Sequence, residues 1–282
     1  MKHIALIDQS LLDALAILSP KSSKTTLRSW IKEGRVSIDE QPAKLPNQVV
    51  LKDQTVTVDA RKKTLDAGIV ILYEDEDLVV IDKPSGLLSV AANFEKKETA
   101  HGILKAYYRT RKIYVVHRLD QDTSGVMLFA FSEQAYERLK KMFEAHTLER
   151  CYTAIVEGRM AVSSGTWQSY LYEDENYVMH SSYNPEDGQE AITHFKIIDH
   201  SKYYSWLNLK LETGRKNQIR VHCQDTGHPV VGDKKYGAHT NPVKRLCLHA
   251  HLLALKHPLS SKMLRFESPI PQEFYRLIRP SS

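Results

Sequence analysis

Apolar and polar positions alternate along this chain in short stretches, and the period is more often that of a strand than that of a helix. Apolar runs bounded by turn residues predict strands over 126–131, 152–157, 191–198 and 204–211. Two more are predicted within IVILYEDEDLVVIDKPSGLLSV, residues 69–90, ahead of a Lys-Pro-Ser-Gly turn. The helical period appears in SEQAYERLKKMFEAH, where a cap at Ser132 precedes Ala135, Leu139, Met142, Phe143 and His146 on one side. Strands outnumber helices and hairpin spacings dominate. That predicts an α+β fold, a mixed and largely antiparallel sheet with helices packed against it.

The first sixty residues follow a pattern of their own. SSKTTLRSWIKEGRV predicts a helix capped by Ser22 or Ser23, with Leu27, Trp30 and Ile31 on one face and Gly34 as its stop. VSIDEQPAKL and VVLKDQTVTVDA then read as a pair of short alternating strands joined by a turn. ARKKTLDAG reads as a polar linker, so the chain is expected to hold two domains, residues 1–62 and 67–282. No internal repeat or low-complexity tract points to a solenoid or a propeller.

Composition narrows the class. With 282 residues, 42% hydrophobic content and 12 glycines, the chain suits an ordinary globular protein with a sizeable core. No apolar run approaches the ~18 residues that span a bilayer, and the amino terminus, interrupted by Asp8 and Asp13, lacks a secretory pattern. Cys151, Cys223 and Cys247 are odd in number and widely spaced, which predicts free thiols in a reducing compartment, the cytoplasm. His249 and His251 follow Cys247 without a second pair at zinc spacing, so no metal is expected.

Charge adds location. Of the net +5, residues 1–66 carry +3, from eleven Lys and Arg against eight Asp and Glu, and the other 216 residues carry only +2. Lys21, Lys24, Arg28, Lys32 and Arg35 are spaced 3, 4, 4 and 3, which lines them along one side of the predicted helix and its flanks. Such a ridge is either a solvated face or a phosphate-binding surface, and Glu33 is the one acid that dilutes it.

Three segments concentrate reactive groups: HRLDQDTSG at 117–125, ERCYTAIVEG at 149–158 and LETGRKNQIRVHCQDTGHPVVGDKKYG at 211–237. Each has a bland reading alone. Asp120 and Asp122 suit a turn, Tyr152 a half-buried strand position, and Arg215 and Arg220 surface cations or ion pairs.

Together, HRLDQDTSG, Tyr152-x-Ala154 with Gly158, TGR-xx-QIRVH, G-x-P-V-x-GD-xx-YG and LHAHLLALKHP resemble the RluA-type pseudouridine synthases from about residue 70 to 276. The first sixty residues resemble the alpha-L RNA-binding module, ribosomal protein S-four-like, a companion of this catalytic domain in the ribosomal RNA branch. The resemblance implies a pseudouridine synthase fold and isomerisation of a uridine within structured RNA, with large-subunit ribosomal RNA favoured and transfer RNA the alternative. It implies Asp120 as the catalytic aspartate, either adding to the anomeric carbon or removing the adjacent ribose proton. Arg215, the TGR arginine, would keep Asp120 ionised, and Tyr152 would stack on the uracil. His117, Arg118 and Thr123 fall among the RNA-binding groups, Arg118 filling the space left by the everted base or holding phosphate, and Lys24, Arg28, Lys32 and Arg35 would hold RNA through the front module.

Two departures stand out. Lys216 and Asn217 replace the family's usual Thr-His, and Arg150 stands where Lys is common two residues before the Tyr. The reaction removes no electrons or groups from the substrate, so no cofactor is expected. A monomer acting on RNA, with no membrane partner, completes the expectation. The rivals are a catalytically silent ribosome-assembly factor, which the intact Asp120, Tyr152 and Arg215 disfavour, and a methyltransferase, for which no G-x-G-x-x-G fingerprint exists.

Overall fold

The computed structural model describes residues 1–59, 63–91 and 98–279. The chain divides into two compact units, Met1–Lys62 and Lys63–Ser282.

In the first unit, serine hydroxyls start both helices. Ser10 accepts from the Asp13 amide (3.2 Å) ahead of helix Leu11–Leu18, and Ser23, one of the two expected caps, accepts from the Thr26 amide (3.1 Å) ahead of Lys24–Lys32. Their inner faces, including Leu11, Leu15, Leu27 and Ile31, close on Val36, Ile38, Val56 and Val58 in one small core. Those valines and Ile38 come from an antiparallel sheet ordered Lys2–Ile4, Thr55–Val58, Val36–Ile38, Gln41–Pro42. Lys24, Arg28 and Lys32 stand exposed, with no ion pair among the described residues. Arg35 departs from the expected ridge: its Nε donates to the Asp59 carbonyl (3.0 Å), its Nη1 reaches Glu33 (3.5 Å), and its guanidinium lies over Trp30. Extended backbone beyond Gly34 turns this side chain back onto its own unit.

The second unit starts earlier than the 67 expected, because Lys63–Thr64 pairs with Val70–Glu74 instead of lying in a linker; residues 60–62 lie outside the described residues. Its main sheet runs, in order, Met179–Ser182, Ser164–Glu173, Gln189–His200, Tyr204–Leu211, Glu149–Glu157, Leu248–Lys256, Ser124–Ala130, Leu78–Lys83, Val70–Glu74 and Lys63–Thr64. Neighbours are antiparallel except Ser124–Ala130 beside Leu248–Lys256, which are parallel. The mixed, mostly antiparallel α+β architecture is the one the pattern predicts.

Ser124–Ala130 is buried along its whole length, which is why it reads as a continuous apolar run instead of an alternating one. Met127 and Phe129 face one core, with Ile81 and Leu104; Val126 and Leu128 face another, with Leu139 and Phe266. At about 1.5–3 kcal/mol per large apolar side chain removed from water, this strand is a rigid post for the loop that precedes it. Helix Glu133–Glu144, capped by Ser132, packs Ala135 and Leu139 on the second core. It stops short of His146, which takes a left-handed φ of 54° and leaves the apolar face expected to include it.

The parallel pair brings two distant segments together. Ala250 lies opposite Gly125 on one side and Tyr152 on the other. Gly125 has φ 116°, and a β-carbon there would fall 2.2 Å from the Ala250 carbonyl oxygen, so the strands close only over glycine. Gly125→Ala is expected to lower stability by about 3 kcal/mol or more, a combined clash and left-handed strain cost, read as a lowered urea midpoint. An unchanged midpoint would show that the strands separate freely.

Candidate active site

A cleft of about 700 Å³ opens in the second unit where that register joins strand Glu149–Glu157 to the 117–123 loop, and Asp120, Tyr152 and Arg220 line it. The loop is held from below by its backbone. Lys83, fully buried, donates its ammonium protons to the carbonyls of Pro84 (3.0 Å), Leu87 (2.7 Å) and Gln121 (2.9 Å). Burial pushes its pKa down to about 8, while Asp122 and Asp120 pull the other way. Ser85 donates to the Asp122 carbonyl (2.7 Å), the Gly86 amide donates to the Gln121 carbonyl (3.0 Å), and the buried Ser89 hydroxyl both donates to the Leu119 carbonyl (2.6 Å) and accepts from its amide (3.1 Å). The Thr123 amide closes a turn on the Asp120 carbonyl (3.2 Å). The Lys-Pro-Ser-Gly turn and Ser89 thus grip residues 119–122 and fix the direction of the Asp120 side chain.

Above the loop stands helix Gln218–Asp225. It begins at Asn217, in the left-handed region (φ 55°), and presents Arg220 to the cleft. Asp233 grips the fork of Arg220 with both oxygens, at 2.6 Å from Nε and 2.8 Å from Nη2. The remaining nitrogen, Nη1, donates to Asp120 Oδ2 (3.3 Å) and to Asn217 Oδ1 (3.2 Å). Burial opposes the charge on Arg220, but the Asp233 bond and then Asp120 outweigh it and hold the guanidinium protonated. Asp233 is 1% exposed, Arg220 12% and Asp120 30%, so the pair is dry at its base and wet at its working end. Asp120 Oδ1 makes no hydrogen bond to another described residue. Tyr152 shares the cleft, and desolvation, which Arg150 opposes and Asp120 assists, pushes its phenol up to about 12. A carboxylate tethered to a guanidinium, with a neutral phenol lining the same cleft, can serve as a base or a nucleophile while the aromatic ring receives a flat group.

A family model described as RNA pseudouridylate synthase matches residues 77–225. The chain is 33% identical over 271 residues to a Bacillus subtilis (strain 168) protein named uncharacterized RNA pseudouridine synthase YhcT, an alignment covering 92% of this chain and 89% of that protein. This chain belongs to the RNA pseudouridylate synthase family. It is also 33% identical over 296 residues to the ribosomal large subunit pseudouridine synthase D of Salmonella typhimurium, covering 96% of this chain and 90% of that one. Among solved structures, human RNA pseudouridylate synthase domain containing 1 aligns with TM-score 0.61 and 25% identity over 72% of this chain and 83% of that one. Human RNA pseudouridylate synthase domain containing 4 shares the fold, with TM-score 0.60 and 23% identity over 73% and 92%. The chain is an RNA pseudouridine synthase of the RluA type, an isomerase.

In this synthase the arginine expected to hold Asp120 is the wrong one. Arg215 lines the cleft, but its Nε donates to the Glu190 carbonyl (2.9 Å), and Arg220, five residues on, carries the bond to Asp120. The reason is local: Arg215 precedes the helix, where the chain runs beside strand Gln189–His200, while Arg220 sits in the first turn facing the loop. His117 is held from both sides. It lines the cleft, but its Nε2 accepts from the Leu128 amide (3.0 Å), its ring stacks on Phe143 (4.7 Å) and burial pushes its pKa down to about 3, so it meets the cleft as a neutral ring. Thr123 is buried at the cleft wall, and Arg118 projects exposed at its rim with no ion pair among the described residues. Asn217, standing where the family usually has His, accepts from Arg220, while nothing in the sequence pattern gives Lys83 or Asp233 a role. The turn around Lys83 and the GD-xx-YG run holding Asp233 were visible as motifs, but neither spacing tells which way a side chain points.

Two predictions follow from the buried charges. Arg220→Met strands Asp233 without its partner and is expected to cost about 3–5 kcal/mol of unfolding free energy, measured by denaturant titration; a loss below 1 kcal/mol would contradict the fork. His117, His222 and His249 have pKa values pushed down by burial, to about 3, 4 and 4. The unfolded chain therefore takes up protons near pH 6.5 that the folded chain refuses. Stability should be complete above about pH 6.5 and fall steadily toward pH 4. Calorimetric Tm against pH checks this, with a shallower slope for His249→Gln.

Proposed function

We propose that this synthase isomerises uridines of large-subunit ribosomal RNA, working in the cytoplasm and gripping its substrate through an alpha-L RNA-binding module formed by the first unit. Similarity to proteins named ribosomal large subunit pseudouridine synthase D, over nearly the whole chain, supports that target. The exposed cations Lys24, Arg28 and Lys32 on one helix support the module's role, since phosphate contacts from such cations supply most of the affinity for nucleic acid.

The observation that carries the catalytic part is the ion pair between Arg220 and Asp120 in a cleft that also holds Tyr152. The target uridine leaves its stack, its uracil lies on the Tyr152 ring, and its sugar meets Asp120. The Asp120 carboxylate then acts at the sugar, by addition to the anomeric carbon or by removal of the neighbouring ribose proton. The bond from the sugar to the base nitrogen breaks and the base turns; its ring carbon then bonds to the same sugar carbon as the carboxylate is released or the ribose proton is returned, the ring carbon gives up its proton and the freed nitrogen takes one up. Arg118, exposed at the rim, takes the place of the absent base in the stack.

RNA tritiated on that ring carbon reads the reaction directly. The wild type should release tritium to water, and Asp120→Asn should release none above background; equal release from both removes Asp120 from the chemistry. For the first unit, deletion of residues 1–62 should weaken RNA binding and lower the slope of log Kd against log salt by about two to three, at about 0.7–0.9 per lost phosphate contact. An unaltered slope would reduce the cations of the first unit to a solvated face.

A further inference from the structure

Arg150 is a cation without a counter-charge. It lies on strand Glu149–Glu157, two residues before Tyr152 and hence on the same face, and it lines the cleft. Its Nη2 donates to the Glu212 carbonyl (3.2 Å), its Nε is buried with no partner, and its guanidinium lies over the Phe143 ring. No carboxylate pairs with it among the described residues. Gly214 makes room for it, since a β-carbon there would fall 2.4 Å from Nη1. Arg118 and Arg215 also face the cleft without acids, but Arg118 is exposed to water and Arg215 is half-buried with its Nε satisfied. A half-buried guanidinium whose Nε is cut off from water with no partner costs free energy in the empty protein, a cost that an incoming anion repays.

We propose that Arg150 is a substrate-binding residue that takes a phosphate next to the everted uridine. This rests on the activity proposed above. Residues two apart on a strand stand roughly 6.6 Å from each other, about the span from a nucleobase to its own phosphate. With the uracil on Tyr152 and the sugar at Asp120, the phosphate remains as the charged group to be placed. That phosphate supplies the anion Arg150 lacks, and Gly214 leaves room for the guanidinium that receives it.

The test uses the full chain and a short RNA stem-loop with a loop uridine from which the wild type releases tritium. Two further RNAs carry a neutral methylphosphonate on the 5′ or the 3′ side of that uridine. Wild type should lose roughly tenfold in affinity for one of them. Arg150→Met should lose about as much with the all-phosphate RNA, show a salt slope lower by about 0.7, and be indifferent to the methylphosphonate. Arg150→Lys should recover most of the affinity, with Tm values confirming that both variants fold. Wild type that binds all three RNAs equally overturns the assignment, whatever the variants do. So does an Arg150→Met protein that still feels the methylphosphonate as strongly as wild type. Tritium release by wild type in either case leaves the isomerase reading intact, whereas no release from any RNA removes that reading and this inference with it.

Discussion

The site depends on how one guanidinium divides its protons. Arg220 has a rigid planar fork, and Asp233, buried almost completely, occupies one edge of it with two short bonds. That leaves Nη1 to face Asp120 and Asn217. Were Asp233 absent, the fork would be free to rotate and pair bidentately with Asp120, closing the carboxylate to any substrate. Asp233 is itself placed by a tight turn in which its side chain also accepts from the Tyr236 amide (3.3 Å), and Tyr236 returns to Asn217 through its hydroxyl (2.8 Å). The helix start, the arginine and the turn form one closed hydrogen-bonded ring.

The opposite wall is built by different means. The loop's backbone is gripped without paired charges: the carbonyls of Leu119, Gln121 and Asp122 are collected by Lys83, Ser85, the Gly86 amide and Ser89. Carbonyls at the surface would otherwise be solvated and mobile, and a buried ammonium is the most economical way to gather three of them at one point. The parallel register at Ala250 then sets Tyr152 and the loop side by side. Asp120 and Tyr152, 32 positions apart in the chain, are brought to one cleft by strands that pair on either side of Leu248–Lys256.

Much of this was legible in the sequence. The period of two in Tyr204–Leu211 and the continuous apolar run of Ser124–Ala130 mark strands because burial on one face or on both leaves those signatures. Asp120 and Tyr152 were legible through motifs. Side-chain direction was not: Arg215 and Arg220 lie in the same motif, and the start of the helix at Asn217, through a left-handed residue with no side-chain cap bond, decides which one faces Asp120. Lys83 was hidden for a related reason, since a lysine beside a Pro-Ser-Gly turn ordinarily points to water. Arg35 kept the spacing of a ridge but lost its freedom to a carbonyl brought from residue 59 by the fold. No helix among the described residues is long and apolar enough to cross a membrane.

The contact between Arg220 and Asp120 involves only Oδ2, and Oδ1 has no partner among the described residues. The two oxygens of one carboxylate are therefore inequivalent before any RNA arrives. One is a tether that fixes rotation about the side-chain bond; the other keeps its lone pairs uncommitted and aimed by the first. Anchoring and openness, which compete when a single atom must supply both, are shared between the two oxygens of one carboxylate.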